Sequence, residues 1–491
     1  MVHTTPTKVL LTTTLRPLVV QLSGSLAQGV RLVDQVLHDA LTPQKMAAFE
    51  WAMRRLLREV GRRIMGWVLN HVEPEPPTEA PSRVQFEGRV YRRRAKSRRA
   101  VATLFGTVDV WRHLYEPLER HGHAIHPLDL QIGVEAGLAT PALAERIGQW
   151  AADHTQRHVL AMLAGDHDVH WSCTSLRKVL TSLSTGMAPH RHLAQVEHVV
   201  HWLEQARMST GRYRPTLSVG RDGIFVPLQH KVWQEGATAT VSVLDRRGER
   251  LGTVYLGHMP EAGQATLTAQ LTALLKAILS QVDSDGLRLV YVTDDGYHPS
   301  EYYQRVLQQM PDPRRPGRGL EWRRIIDYYH ACQYVQQLAD GLFGPGTESQ
   351  QGARRMREQL KTRAHGVTRV LQSAAALQHK RGLGGQAKDY AQAYAYLHKR
   401  RHWMDCQAYR RQRLPIGSGI TEAACKIVFT QRLKRSGMAW SKEGGQVIVN
   451  LRVIWLSGVW EAVYQRYLAS KSLPIAAVSM VKDAQHGQEA A

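Results

Sequence analysis

Between residues 214 and 343 the apolar pattern changes period in a way that few folds accommodate. RPTLSVGRDGIFVPL reads as one strand, and ATATVSVLDRRGERLGTVYLG as two more around the turn Asp245-Arg246-Arg247-Gly248. An amphipathic helix follows in AGQATLTAQLTALLKAILSQ, and then LRLVYVT, a continuously apolar run short enough for a strand buried on both faces. A helix (SEYYQRVLQQM), a Pro/Gly/Arg loop (PDPRRPGRG) and a strand-helix pair (WRRIIDYYHACQYVQQLADGLFG) complete the stretch. Three meandering strands followed by alternating units predict an α/β mixed sheet with helices on both faces, the order of the ribonuclease H-like fold.

Acidic residues stand where this pattern makes them unusual. Asp222 interrupts an apolar strand, Asp294 and Asp295 follow the buried strand LRLVYVT, and Glu422 lies in the first turn of a helix opened by Gly-Ser-Gly. Each has a local explanation: Asp222-Gly223 as a β-bulge, Asp294-Asp295-Gly296 as a tight turn, Glu422 as an acid favoured by the helix dipole. Together they predict carboxylates gathered beyond the carboxyl ends of strands, where open α/β sheets bind ligands. Buried carboxylates repel one another unless cations neutralise them. All-oxygen donors suit two magnesium ions, with manganese as the alternative, and such a pair stabilises the attacking and leaving oxygens of a phosphoryl displacement.

The remainder of the 491 residues reads as appended regions. Residues 1–72 are helical, EPEPPTEAP is a linker, and 82–207 combine basic strands with helices, of which WSCTSLRKVLTSLS gives a faint helix-turn-helix signal. The core's first part spans 211–345, a basic helical insertion 346–413 and the core's last part 414–470, with 471–491 a flexible tail. Hydrophobic residues at 43% and charged residues at 22% exclude global disorder. The net charge of +22 comes chiefly from 49 arginines, whose planar forks match phosphate oxygens two at a time, so the partner expected is a nucleic acid. The densest run, Arg92, Arg93, Arg94, Lys96, Arg98 and Arg99, reads either as a wet strand edge or as a phosphate contact. Four dispersed cysteines, no signal-peptide core and no apolar span of about 18 residues predict a cytoplasmic protein without membrane segments.

GSGITEAACKIVFTQRLKRSGMAW, with LRVIWLSGVWE after it, closely resembles the carboxyl-terminal signature of the ISKra-type insertion-sequence transposases. TLFGTVDVWRHLYE, HPLDLQIG, RDGIFVPL, VTDDGYHP and IIDYYHA extend the resemblance over most of the chain. The resemblance implies a DDE recombinase with a ribonuclease H-like core. Its first acid matches Asp222. Its second, followed by Gly, matches Asp295, with Asp294 able to substitute, and its third matches Glu422. Asp327 and His330 match an accessory D-x-x-H signature. His330 then contacts a flanking phosphate or flipped base, or is a core histidine. Relatives often carry zinc-ribbon cysteines near Gly-Thr-Val-Asp-Val. This chain has none there, and His113, His121, His123 and His126 lack partners at ligand spacing.

The function expected is hydrolysis of a phosphodiester at element ends followed by strand transfer into target DNA. Double-stranded DNA is the partner, and pairing two ends calls for at least a dimer. Lys426, Arg432, Lys434 and Arg435, beside Glu422, are expected to track the DNA backbone. The rivals are a ribonuclease H-like nuclease or resolvase that cuts without joining, and a domesticated DNA-binding protein with an inactive site.

Overall fold

The structure is a computed structural model and describes residues 15–38, 40–73, 80–119, 122–380, 388–471 and 475–477. Calls on His121 and on most of the tail lie outside these residues. The chain is mixed α/β and divides into two compact units, one of residues 1–186 with 464–491 and one of residues 187–463.

The first unit opens with two packed helices, α1 (Arg16–His38) and α2 (Pro43–His71). The break between them follows from Thr42, whose hydroxyl accepts from Lys45 N at 3.2 Å, and from Pro43 in the first turn, where a missing N–H costs nothing. On α1, Leu26, Val30, Val33 and Leu37 recur at 4-3-4 spacing and are 68%, 68%, 42% and 75% exposed, an apolar stripe left uncovered among the described residues. Strands β1 (Arg83–Phe86), β2 (Arg89–Thr103) and β3 (Gly106–Pro117) form an antiparallel sheet in the order β3-β2-β1, with the short strand Ala476–Ala477 beyond β1. Val101, Val108 and Val110 alternate inward against Leu69 of α2. Helices α3 (Pro127–Gln131), α4 (Pro141–Asp153), α5 (Gln156–His167) and the start of α6 (Cys173–Met208) follow.

The basic run of residues 92–99 lies on β2, paired with β3 on one side, while β1 pairs only with residues 89–92; beyond Arg93, which donates to the Ser82 carbonyl, the run has no second strand partner among the described residues, as the strand-edge reading expects. Arg94 pairs with Glu116 at 2.7 Å and Arg98 with Asp109 at 2.8 Å, both on β3, and Arg93 donates to the Ala80 carbonyl. Arg92 and Arg99 are exposed and Lys96 is half-buried.

The second unit is built on five strands in the order β6-β5-β4-β7-β8. Their ranges are β4 (Thr216–Pro227), β5 (Trp233–Leu244), β6 (Arg250–His258), β7 (Arg288–Thr293) and β8 (Trp322–Ile326). β4, β5 and β6 form an antiparallel meander, whereas β4-β7 and β7-β8 are parallel. On one face lie the end of α6, α7 (Ala265–Gln281), α8 (Tyr297–Tyr302) and a π-helical turn after it, sharing a core that includes Leu203, Leu217, Leu271, Leu275 and Tyr291. Next come α9 (Tyr328–Phe343), α10 (Thr347–Thr362), α11 (Gly366–Lys380) and α12 (Lys388–Arg400), which share a core of their own around Val335, Leu360, Val370 and Leu397. The opposite face of β7 and β8 is covered by Tyr409 of α13 (Cys406–Arg411) and by Leu414. A broken helix also lies on that side: α14 (Gly419–Ala424), a π-helical turn over Cys425–Thr430, and α15 (Gln431–Leu433). After it, α16 (Lys442–Leu456) packs on β6, and α17 (Trp460–Lys471) ends the helical part. No single helix among the described residues is long and apolar enough to cross a membrane.

One glycine sets how closely the broken helix approaches the sheet. A Cβ at Gly220 of β4 would lie 1.8 Å from Thr421 Oγ1 and 3.1 Å from Thr240 Oγ1, and these two hydroxyls are hydrogen-bonded at 2.9 Å. Gly220→Ala is expected to lower the unfolding free energy by about 1–3 kcal/mol, the usual range for overpacking. Adding Thr421→Ala, which removes the nearest atom, should recover part of it in urea denaturation.

Candidate active site

Along β4 successive side chains point to opposite faces, so the neighbours Arg221 and Asp222 part company. Arg221 is 2% exposed and turns to the α7 side, where its guanidinium donates to Gln264 Oε1 at 2.9 Å and lies 5.2 Å from the Tyr302 ring centroid. Asp222 turns to the side of the broken helix. Its Oδ1 accepts from Gly223 N at 2.7 Å, and its Oδ2 accepts a weak hydrogen bond from Cys425 Sγ at 3.5 Å. Burial and then the nearby charge of Asp294 push the Asp222 carboxyl above its ordinary range.

After β7 the two consecutive aspartates are separated by the backbone itself. Asp295 has φ +71°, a left-handed conformation that non-glycine residues seldom adopt. Asp294 Oδ1 accepts from Gly296 N at 3.0 Å, and its charge falls on Asp222. Asp295 is held by the guanidinium groups of Arg324 (β8) and Arg400 (α12) and by the Ser300 hydroxyl. Arg324 is itself sandwiched, 4.9 Å from the Tyr303 ring centroid and 4.4 Å from that of Trp403, and Arg400 lies 3.9 Å from that of Tyr396. Tyr396 Oη also donates to the Asp294 carbonyl at 3.0 Å. Asp295, matched above to the second acid, thus has its carboxylate engaged, and its neighbour Asp294, the substitute, is the one whose charge bears on Asp222.

Asp327, expected as an accessory residue, is fully buried at the end of β8. Its Oδ1 caps α9 by accepting from Tyr329 N at 2.7 Å, and its Oδ2 accepts from the Ser418 hydroxyl. Ser418 Oγ also lies 3.3 Å from Glu422 Oε1, and Glu422 N donates to the Ser418 carbonyl at 2.8 Å. Burial raises the Glu422 carboxyl, and the charge of Asp327, a hydrogen bond to it and the charge of Asp222 raise it further. Asp327 thus belongs with Asp222, Asp294 and Glu422. His330 lies instead beside Tyr334 and Tyr396, at ring distances of 5.5 and 6.0 Å.

The basic residues after Glu422 separate. Lys426 and Arg435 are exposed, and Lys434 Nζ is 5.5 Å from the Trp233 ring centroid. Arg432 is 0% exposed, with its guanidinium 5.4 Å from the Trp440 ring centroid, so its expected contact with the DNA backbone is excluded by burial. The π-helical turn between Glu422 and Arg432 shifts the face that regular helical spacing assigns. Ser418, Cys425, Arg324 and Arg400 escaped the sequence reading. The one signal for Arg324 was the pair of charges, Arg323 and Arg324, inside the otherwise apolar strand WRRII.

All four clustered side chains are carboxylates, the donor type of hard divalent cations. Among the described residues no three His, Cys, Asp or Glu side chains converge closely enough to hold an ion together. The charges influence one another in pairs, Asp294 on Asp222 and Asp222 on Glu422, and magnesium is habitually held by one or two carboxylates with water completing its shell. The donor set fits such an ion in that form. Among the described histidines of the first unit, His113 Nδ1 is buried 2.6 Å from Glu73 Oε1, and His126 Nδ1 meets the His113 carbonyl at 3.0 Å.

Two outcomes follow. A carboxyl whose folded pKa is raised contributes stability that is intact below its unfolded pKa and lost as pH rises through the folded value. Asp222→Asn is therefore expected to raise the melting temperature at pH 7–8 in EDTA and to leave it nearly unchanged at pH 3–4. A lower melting temperature at pH 8 would contradict the repulsion. Arg400→Ala, which removes one of the two guanidiniums on Asp295, should cost about 1.5–3 kcal/mol in urea unfolding, the range for hydrogen bonds to charged groups.

No protein-family model matches the chain, and no curated protein matches it.

Proposed function

We propose that the chain is a DNA transposase whose second unit is a ribonuclease H-like catalytic domain, cutting phosphodiesters at element ends and joining the freed ends to target DNA. The observation that carries this reading is that Asp222 on β4 feels the charge of Asp294, which follows β7, and that Glu422 on α14 feels the charge of Asp222, three acids from distant segments in a unit whose sheet is ordered β6-β5-β4-β7-β8. In this reading Asp222, Asp294 and Glu422 hold divalent magnesium or manganese. When bound, such ions neutralise charge on the phosphodiester and activate water for in-line displacement. Asp327 and Ser418 orient Glu422 through the hydrogen bonds described, while Arg324 and Arg400 keep Asp295 out of the cluster. Exposed Lys426 and Arg435 flank the strand near the reacting bond, and Arg92, Arg94, Arg98 and Arg99 give the first unit its backbone grip. A DNA-binding protein with an inactive site is favoured by one observation, the absence of three converging ligands among the described residues.

Cleavage and joining assays on a labelled duplex bearing the element ends separate these readings. Asp222→Ala, Asp294→Ala and Glu422→Ala are each expected to lose at least about 100-fold in magnesium-dependent cleavage, equivalent to about 2.7 kcal/mol of barrier. Asp295→Ala should lose less. Cleavage with no joining in the wild type would identify a nuclease, and no cleavage a DNA-binding protein.

The uncovered stripe on α1 supports self-association, because coiled-coil seams repeat at this spacing. Leu26→Asp with Leu37→Asp is expected to convert a dimer to a monomer in sedimentation, with the melting temperature of the second unit unchanged.

A further inference from the structure

The second unit carries another charged feature at the opposite end of its sheet. β4 and β7 start side by side, with Thr216 opposite Arg288, and Asp222 lies six residues further along. At about 3.3 Å per residue the two ends are roughly 20 Å apart. Around the starting end opens a cavity of about 1040 Å³ lined by Arg212, Arg246, Arg247, Arg410, Arg411 and Arg413, with Glu249 as the single acid in its wall. None of these guanidinium groups is ion-paired with a carboxylate among the described residues.

The arginines are mounted on three segments that interlock through their backbones. Gly211 has φ +148°, and a Cβ there would lie 2.4 Å from the Arg246 carbonyl oxygen. Gly248 has φ +84°, and its Cβ would lie 2.7 Å from the Arg413 carbonyl oxygen. Tyr213 N donates to the Arg246 carbonyl at 3.3 Å, Arg246 Nε returns a bond to the Tyr213 carbonyl at 3.2 Å, and Tyr213 Oη donates to the Arg411 carbonyl. Beneath them Arg288 lies 5.2 Å from the Tyr213 ring centroid and donates to the Gln412 carbonyl at 2.6 Å. Its Nε and Nη2 are buried without a hydrogen-bond partner. Such a concentration of unpaired like charge is costly in the free protein and is relieved by an anion of matching extent.

We infer that this arginine-lined cavity is a second nucleic-acid site, gripping the phosphodiester backbone of duplex DNA away from the carboxylates. Six forks spread over three segments exceed what one phosphate occupies, whereas successive backbone phosphates present bidentate partners along a path. The inference rests on the proposed action on DNA, and adds a grip that the active-site chemistry does not require.

The test is binding of the full chain to a fluorescein-labelled 30-bp duplex, followed by anisotropy across 50–200 mM salt in EDTA. The variant replaces three exposed arginines, Arg247→Ala, Arg410→Ala and Arg411→Ala, whose backbone contacts persist. Each phosphate contact contributes about 0.9 to the slope of log affinity against log salt, so the slope should shrink by about 2–3 and affinity at 150 mM fall at least about tenfold. A normal slope in a variant that melts like the wild type would overturn the site alone. So would loss of inorganic tripolyphosphate binding with duplex binding intact, which marks a small-anion pocket. No duplex binding by the wild type would overturn both the site and the proposed function.

Discussion

The close approach of α14 to β4 at Gly220 is the constraint on which the rest of the second unit's carboxylate arrangement depends. Glu422 comes within electrostatic reach of Asp222 where Thr421 sits in the place a side chain on Gly220 would take, tied to Thr240 by a hydroxyl-hydroxyl bond. The helix then passes into a π-helical turn, which sets Cys425 Sγ against the Asp222 carboxylate. A larger residue at position 220 would strain both arrangements. The sheet thus brings a late segment of the chain to an early strand through steric fit rather than through charge, since the two carboxylates it unites repel each other.

Repulsion among the acids is offset by how their neighbours are anchored. Asp327 is spent on capping α9 and on accepting from Ser418, which also lies against Glu422. Asp295 is neutralised by Arg324 from the sheet and by Arg400 from the helical insertion, and Tyr396 of that insertion holds the Asp294 carbonyl. The insertion is therefore bonded to the turn that carries the second acid. Its helices are a structural part of the site as well as a basic appendage.

The order of elements along the second unit and its mixed sheet were legible because they follow from local periodicity: alternating or continuous apolar runs of strand length, separated by turns and amphipathic helices. The acids at strand ends were legible for the same reason, as charges where burial makes them costly. The choice between Asp294 and Asp295 was not, because it turns on a left-handed residue and on arginines 29 and 105 residues away. Burial of Arg432 was hidden by the π-helical turn. The arginine cavity was invisible because its residues come from segments that read separately as a turn, a loop and a helix end.

The central claim is that Asp222, Asp294 and Glu422 act as one cation-dependent centre. Its most direct measurement is titration of the full chain with Mn²⁺, followed by the electron paramagnetic resonance of the free ion. Saturable binding is expected in the wild type, weakened at least about tenfold by each of Asp222→Asn, Asp294→Asn and Glu422→Gln, and little changed by Asp295→Asn. Binding that ignores the first three substitutions, or that is lost only with Asp295, would contradict it.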